Sequence, residues 1–365
     1  MYDLIVIGGG PAGTSAAITA ARGRARVLLL ERGRFPRHKV CGEFISAESL
    51  DLLSNLLDSD HKALLNDAIR IAQARIFLDG RALRTITDPP AASIARLDLD
   101  AALWHSAVES GVDARQQTTV QSIAGSEPFQ VKSSAGAFEA RALINASGRW
   151  SNLTLPVANA GGKWIGVKGH FAENSPAQSV DLYFFEGGYC GVQPVDLNAG
   201  ISAHGRVNAC AMVRADVAST LPEVFERHAA LWERSRDWKP LSNPVSTSPL
   251  IFRAPNPERS GVLMAGDAAT FVDPFVGDGV SLALRSGSLA AESLIPFFQQ
   301  RVSFRDAVHS YRRTYRERLA PVFRASSGIR RVLGLPRTVR KPLLVLLEKT
   351  PAVTRYLVRR TRWLA

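Results

Sequence analysis

Asp3-Leu4-Ile5-Val6-Ile7 runs directly into Gly8-Gly9-Gly10-Pro11-Ala12-Gly13, and an alanine-rich stretch, Thr14 to Ala21, follows. A second apolar run, Arg26 to Leu30, ends in Glu31. The order predicts a buried strand, a glycine turn, a helix, a second strand and an acid, which is the dinucleotide-binding fingerprint in its full context. Gly8 allows the tight turn. Gly10 lets backbone approach a pyrophosphate with no Cβ in the way. Gly13 lets the helix pack closely on the strand. The helix N-terminus offers unpaired N–H groups and a positive dipole end to phosphates. Glu31, eighteen residues after Gly13, can accept hydrogen bonds from a ribose diol. Pro11 and Ala12 at the helix start and Arg32 after the acid join the candidate cofactor residues.

Around this unit the chain of 365 residues has room for two domains. Apolar content of 46% and charged content of 21% are those of a globular protein. Cys41, Cys190 and Cys210 are too widely spaced for a disulfide framework or a zinc site, so a reducing, cytoplasmic setting is expected. The first strand starts at residue 3, which leaves no room for a signal peptide, and no uncharged apolar run approaches a membrane span. The net charge of +12 is unevenly placed: residues 301–365 hold 17 basic and 3 acidic residues, whereas residues 1–300 hold 28 and 30. A nearly neutral body argues against a nucleic-acid surface, and no nucleic-acid partner is expected.

Spacing predicts a helical stretch over 47–72, a strand or hairpin over 74–87 around Asp79-Gly80, a helix over 97–110, and strands over 112–131 and 137–144. Alternation over 164–167, 180–185 and 207–213 predicts an antiparallel sheet. A helix over 221–236, an apolar strand over 261–265 and a long helix over 280–298 follow. The fold class is therefore α/β, a doubly wound, Rossmann-like dinucleotide-binding domain with a domain built on an antiparallel β-sheet and a helical C-terminal region. The expected division is 1–75, 91–155 and 255–300 for the first, 76–90 and 156–254 for the second, and 301–365 for the third.

A second motif follows the strand over 261–265. Gly266-Asp267 is succeeded by Pro274-Phe275-Val276-Gly277-Asp278-Gly279-Val280 and a small-residue helix. A carboxylate after a strand suits a polyol such as ribityl. A glycine turn opening a helix presents N–H groups to an electron-rich ring edge. A plain helix cap would read the same.

Taken together, the two motifs resemble the flavoprotein superfamily of p-hydroxybenzoate hydroxylase and geranylgeranyl reductase. The string from Gly266 to Gly279 and Lys39-Val40-Cys41-Gly42 look most like the geranylgeranyl reductase branch. The resemblance spans about residues 1–300 and implies FAD. It implies that Glu31 holds the adenosine ribose, that Gly266-Asp267 meets the ribityl chain, and that Pro274, Gly277, Asp278, Gly279 and Val280 lie along the isoalloxazine. It also places Arg96 against the cofactor and Cys41 and Gly42 near the flavin. Many family hydroxylases carry an Asp-Gly that serves the visiting nicotinamide; here the matching place reads Ala146-Ser147-Gly148-Arg149. NAD(P)H as donor is therefore open against a donor protein or the substrate itself.

Flavin does the hard chemistry, so the reaction class is more legible than the catalytic residues. The expected function is reduction or oxidation at a carbon–carbon bond of a lipophilic or aromatic small molecule. The alternatives are a flavin-dependent monooxygenase acting on an aromatic or polyketide, and a non-catalytic flavin-binding protein with a membrane- or partner-binding tail. Gly188 to Pro194 lacks both tryptophans of the halogenase Trp-x-Trp-x-Ile-Pro segment, which argues against that path, and it also departs from the prenyl reductase pattern at Gly191 and Gln193. Cys41, His170 and Tyr189 are the catalytic candidates. Trp164, Lys168 and His170 share a face of a regular strand, with Tyr183 and His204 on neighbouring segments. No metal-ligand spacing is seen. In the tail, Leu343 to Leu347 and the Arg-rich run to Trp363 read either as a helix packed on the first domain or, for 337–365, as a peripheral membrane contact.

Overall fold

Leu4, Ile5 and Val6 are wholly buried, which is the signature of a strand covered on both faces. They lie in β1 (Tyr2–Ile7), which runs parallel to β2 (Val27–Leu30) on one side. On the other side β1 runs parallel to β9 (Gly136–Asn145). The computed structural model describes residues 1–149, 153, 163–195, 205–271, 273–333, 335, 338–340 and 342. The first sheet has the order β16 (Glu258–Arg259), β17 (Val262–Met264), β9, β1, β2 and β6 (Asp113–Arg115). β8 (Phe129–Ser133) runs antiparallel beside β9, and β7 (Val120–Gly125) pairs antiparallel with β8.

Helix α1 (Pro11–Arg22) packs against α4 (Arg96–Glu109) and the long α7 (Gly279–Phe298). Small residues let α1 and α7 approach: Ser15 Oγ donates to Leu284 O at 2.7 Å, and Thr19 and Ser288 hydroxyls meet at 3.2 Å. Two glycines are indispensable here. Gly8 has φ +103°, and a Cβ there would lie 2.4 Å from Ala146 O. A Cβ on Gly13 would lie 1.7 Å from Gly8 O, so helix and strand touch as the fingerprint requires.

The second sheet has the order β14 (Lys239–Pro240), β10 (Trp164–Glu173), β13 (Gly205–Arg214), β12 (Gly188–Val195), β11 (Ser179–Phe185), β4 (Ile69–Leu78), β5 (Arg81–Ser93) and β3 (Phe44–Ile45), with β15 (Val245–Thr247) beside β10. All its described pairings are antiparallel except β11 with β4.

Several sequence expectations need correction. The helix expected over 47–72 is a 3₁₀ turn (Ala47–Ser49), α2 (Leu50–Leu56) and α3 (Ala63–Asn66), and strand begins at Ile69. The Ala-, Arg- and Gln-rich segment after Ile69 has helical propensity, but pairing with β5 and β11 overrides it. The β4–β5 hairpin does turn at Asp79-Gly80, both with positive φ. The single helix expected over 221–236 is two, α5 (Leu221–Phe225) and α6 (Ala229–Ser235), separated at His228, whose backbone is extended (φ −139°, ψ 115°). After α7 comes α8 (Phe304–Thr314), which continues through a π turn (Tyr315–Leu319) into α9 (Ala320–Leu333).

Tyr311, Tyr315, Leu319, Val322 and Phe323 are buried in the core of the first sheet. Beyond α9, Arg340 makes a two-pronged bond to Asp79 at 2.8 and 2.8 Å, which brings this basic segment against the β4–β5 turn. His204 and the expected amphipathic stretches from Leu343 to Trp363 lie outside the described residues. Among the described residues no helix is long and apolar enough to cross a membrane, and no cluster of metal-ligating side chains occurs.

Candidate active site

A cavity of about 410 Å³ runs between the two sheets. One wall is backbone. Gly8, Gly10, Pro11 and Ala12 line it at the start of α1, and a Cβ at Gly10 would meet only Arg96 Nη2, at 4.0 Å. The first-turn N–H groups of α1 have no intrahelical acceptor, so this end is set to receive an anion. Gly13 lies off the cavity wall, wedged on Gly8.

Cations gather beside that turn. Arg32, Arg37, Lys39 and Arg96 all line the cavity. Burial works against the Arg96 charge, but Asp100 offsets it through two bonds of 2.7 Å, so the guanidinium stays charged. Burial, then the charges of Arg37 and Arg96, bring Lys39 down to about 8. Glu31 is buried; its Oε2 accepts from Gly9 N at 2.8 Å, and its Oε1 accepts from Gly33 N and Arg37 at 2.7 Å each. A carboxylate has about four acceptor positions, so Oε2 retains one for a ribose hydroxyl.

The opposite end is built by the second motif. Gly266, Asp267, Pro274, Gly277, Gly279 and Val280 line the cavity. Asp267 lies 3.4 Å from Arg149 Nε, and Arg149 stacks over Phe271 at 4.2 Å. Asp278 does not line the wall. It is buried and accepts from Ser46 Oγ at 2.8 Å, which ties the start of α7 to the loop before α2. Ser147, at the place of the missing carboxylate, donates through N and Oγ to Asn145 Oδ1 at 3.0 and 2.6 Å. Asp273 is buried with neither carboxylate oxygen hydrogen-bonded among the described residues. Burial pushes it up to about 7 against the pull of Arg330, 3.5 Å away.

The facing wall comes from the second sheet, the loop before it and the segments at Leu250 and Phe271. Cys41, Gly42, Tyr189, Cys210, Met212, Leu250 and Phe271 line it. Tyr189 packs on Phe184 and Phe275, ring centroids 5.4 and 6.1 Å away. Burial, then the Asp273 charge, hold its phenol well above the usual range, so it keeps its proton. His170 is 2% exposed and does not line the cavity.

His170 instead serves a residue the sequence reading passed over, Glu43. The Glu43 backbone is left-handed (φ +62°), a conformation that costs about 1–2 kcal/mol for a residue with a Cβ. Its carboxylate is fully buried; it pairs with Lys168 Nζ through Oε1 and accepts from Arg96 N at 2.8 Å, while His170 Nε2 lies 2.8 Å from Oε2. Burial alone would raise this carboxylate, but the His170 bond and the Lys168 charge outweigh it and hold it low. The register explains the arrangement. His170 sits opposite Asn208, and Asn208 opposite Gln193, so three neighbouring strands present one row of polar side chains. Asn208 Nδ2 donates to Cys41 O at 3.0 Å, and Gln193 Nε2 donates to Glu43 O at 3.0 Å. Of the three expected catalytic residues, Cys41 and Tyr189 thus reach the cavity and His170 stands behind it. The available signal for Glu43 was an acid one residue past Lys39-Val40-Cys41-Gly42, matched to Lys168 and His170 on one strand face.

Residues 2–162 match the pyridine nucleotide-disulphide oxidoreductase family. Conditioned medium factor receptor 1 of Dictyostelium discoideum is 24% identical over 82% of this chain, which spans only 64% of that relative. Digeranylgeranylglycerophospholipid reductase 2 of Methanopyrus kandleri is 27% identical, covering 80% of this chain and 76% of its own. The flavin-dependent brominase Bmp2 shares the fold, with a TM-score of 0.79 at 19% identity over 99% of this chain and 93% of that one. The cavity fits FAD on its own features: an open glycine turn at a helix end, cations beside it, an acid with spare acceptor capacity and an apolar far end.

Proposed function

We propose that this FAD-dependent oxidoreductase changes the redox state of a carbon–carbon bond in a lipophilic or aromatic small molecule. The observation that carries this reading is the continuity of the cavity. It passes from the glycine turn to a wall of Tyr189, Met212, Leu250 and Phe271 without a break. The relative from Methanopyrus kandleri, named for reduction of a prenylated phospholipid, supports the same substrate class.

FAD, when bound, supplies or accepts the hydride equivalent. The protein does the rest. The α1 turn, Arg96 and Lys39 would hold the pyrophosphate, Glu31 the ribose and Asp267 the ribityl hydroxyls. Met212, Leu250 and Phe271 exclude water from the reacting carbons. The Tyr189 hydroxyl, kept protonated, is placed to orient a polar group of the substrate. With Ser147 engaged by Asn145, no carboxylate stands where the family hydroxylases receive the nicotinamide. The electron donor, NAD(P)H or a donor protein, is read by adding NADPH to the FAD-loaded protein alone.

The test of the reaction class is to reduce the flavoprotein anaerobically, mix it with oxygenated buffer and follow the flavin spectrum. A direct return to oxidised flavin, followed by turnover of unsaturated lipid-like acceptors, is expected. A resolved transient spectrum before oxidation would overturn the reading in favour of a monooxygenase. A colourless protein that takes up no FAD would remove both.

A further inference from the structure

The redox reading requires one proton to enter or leave the substrate for each hydride, and the cavity must supply a group for it. We propose that His38 exchanges this proton, and that Glu43, Lys168 and His170 are positioning residues that fix the charge of His38 from behind. The proposal rests on the redox reading and adds to it a residue and its support.

Place and chemistry favour His38 over Tyr189, Lys39, His170 and Asp273. It lines the cavity beside Cys41, Gly42 and Glu43, and it is half-buried, so a substrate can reach it. Tyr189 keeps its proton. Lys39 stands among Arg37, Arg96, Glu31 and Asp100. His170 and Asp273 do not line the cavity. The His38 ring meets the His170 ring edge-on, with centroids 5.5 Å apart, and His170 is itself clamped by Glu43.

The cluster behind His38 is costly to build. It buries an acid, a lysine and a histidine, and it places the acid on a left-handed backbone. Apolar side chains in the same space would hold the sheet as well. What apolar side chains would not do is set a field at His38. The charged groups facing His38 are Lys168 and His170 from β10, Glu43 from its own loop and Arg206 from β13. Burial, Lys168 and His170 lower its pKa, Glu43 opposes them, and Arg206 lowers it further.

In the reducing direction, bound FAD would supply the hydride equivalent to one carbon of the double bond. The π pair moves to the neighbouring carbon and takes the proton from a His38 ring nitrogen. His38 regains its proton from water at the cavity mouth. Oxidation runs the same transfers backwards, with the proton passing to His38 and the hydride to FAD.

The experiment uses the full-length, FAD-loaded protein labelled with ¹⁵N-histidine and follows the ring nitrogens of His38 against pH. The expected midpoint in the wild type lies below the ordinary histidine value. Lys168→Met should raise it by about one pH unit, since a neighbouring cation is lost. His170→Gln, which keeps a polar group of similar size, should raise it by less and stands in if Lys168→Met does not fold. In parallel, the midpoint potential of bound FAD is measured against pH. A change of slope at the His38 midpoint, lost in His38→Gln, is expected. A His38 midpoint that moves in neither variant, or a potential with no change of slope there, would overturn the assignment and leave the redox reading standing. A protein that binds no FAD would instead remove the redox reading while the coupling between the histidines could still be read.

Discussion

The two walls of the cavity are built on different principles. The α1 wall is backbone: Gly8 at φ +103°, Gly10 open to the cavity and Gly13 pressed on Gly8 act by lacking side chains. The wall from the second sheet is side chain: His170, Asn208 and Gln193 form a row across β10, β13 and β12 and hold the loop at Cys41 and Glu43. A backbone cradle suits a cofactor whose phosphates and ribose never vary. A side-chain wall can be refitted strand by strand to a new substrate, and it needs an internal scaffold of its own, which the Glu43 cluster supplies.

The sharpest way to break this contrast is within the cradle. Gly13→Val should abolish soluble folded protein, because its Cβ would sit 1.7 Å from Gly8 O. Gly10→Val should fold and keep its melting temperature within about 3 °C, because a Cβ there meets nothing closer than 4.0 Å. It should nevertheless retain no FAD, since its methyl groups fill the path of the pyrophosphate. Flavin absorbance and thermal melting of the two variants check this together. A Gly10→Val protein with full flavin would show that the cradle has been placed wrongly.

The matching test of the other wall is Glu43→Ala. It leaves the Lys168 ammonium buried without its counter-charge and His170 without its hydrogen-bond partner, a loss of about 3–5 kcal/mol. The double variant Glu43→Gln/Lys168→Met removes both charges and should recover much of that stability in denaturant unfolding. Equal destabilisation of the single and double variants would mean that the cluster does not act as a charge-balanced unit.

The difference between the walls also decides what the sequence could disclose. Gly8, Gly10, Gly13 and Glu31 belong to one local strand–helix–strand unit, so their spacing announces them. The same holds for Gly266-Asp267 and Gly277, which follow a strand and open a helix. The second wall depends on register. Whether Lys168 and His170 face the cavity, a core or solvent is set by pairing with residues some forty positions away, Cys210 and Asn208. Glu43 is a lone acid in a loop until that pairing brings Lys168 and His170 to it. Gln193 shows the same thing in reverse: in sequence it is a departure from a family pattern, and in the fold it donates to Glu43 O and to Ser93 Oγ at 2.7 Å. The strand from Ile69 was hidden for a related reason, since its partners β5 and β11 override its local preference.

Smaller effects are expected where a ligand can be lost without disturbing either wall. Asp267 is partly exposed, and its one described ion pair, with Arg149, is long at 3.4 Å. Asp267→Ala should leave the fold intact and weaken FAD retention about tenfold or more, the worth of a hydrogen bond to a charged acceptor. Equilibrium dialysis against free FAD measures this, and unchanged retention would move the ribityl chain away from the second motif.

Lys39 gives the finest discrimination between the walls, because its titration reports which of them holds the phosphates. In the FAD-free protein burial and the charges of Arg37 and Arg96 bring it down to about 8. A pyrophosphate at the α1 turn adds negative charge beside it and raises that value in the complex. Binding then takes up a proton above about pH 8. Affinity should therefore be full below that pH and fall as pH rises towards the raised midpoint of the complex, by about tenfold per unit at most. Lys39→Met should bind FAD more weakly at neutral pH and lose this component of the pH dependence. The measurement is the FAD dissociation constant by fluorescence quenching across that range, in both proteins. If the two proteins show the same slope, Lys39 does not face the phosphates, and the charge that the α1 wall gathers must serve some other part of the cofactor.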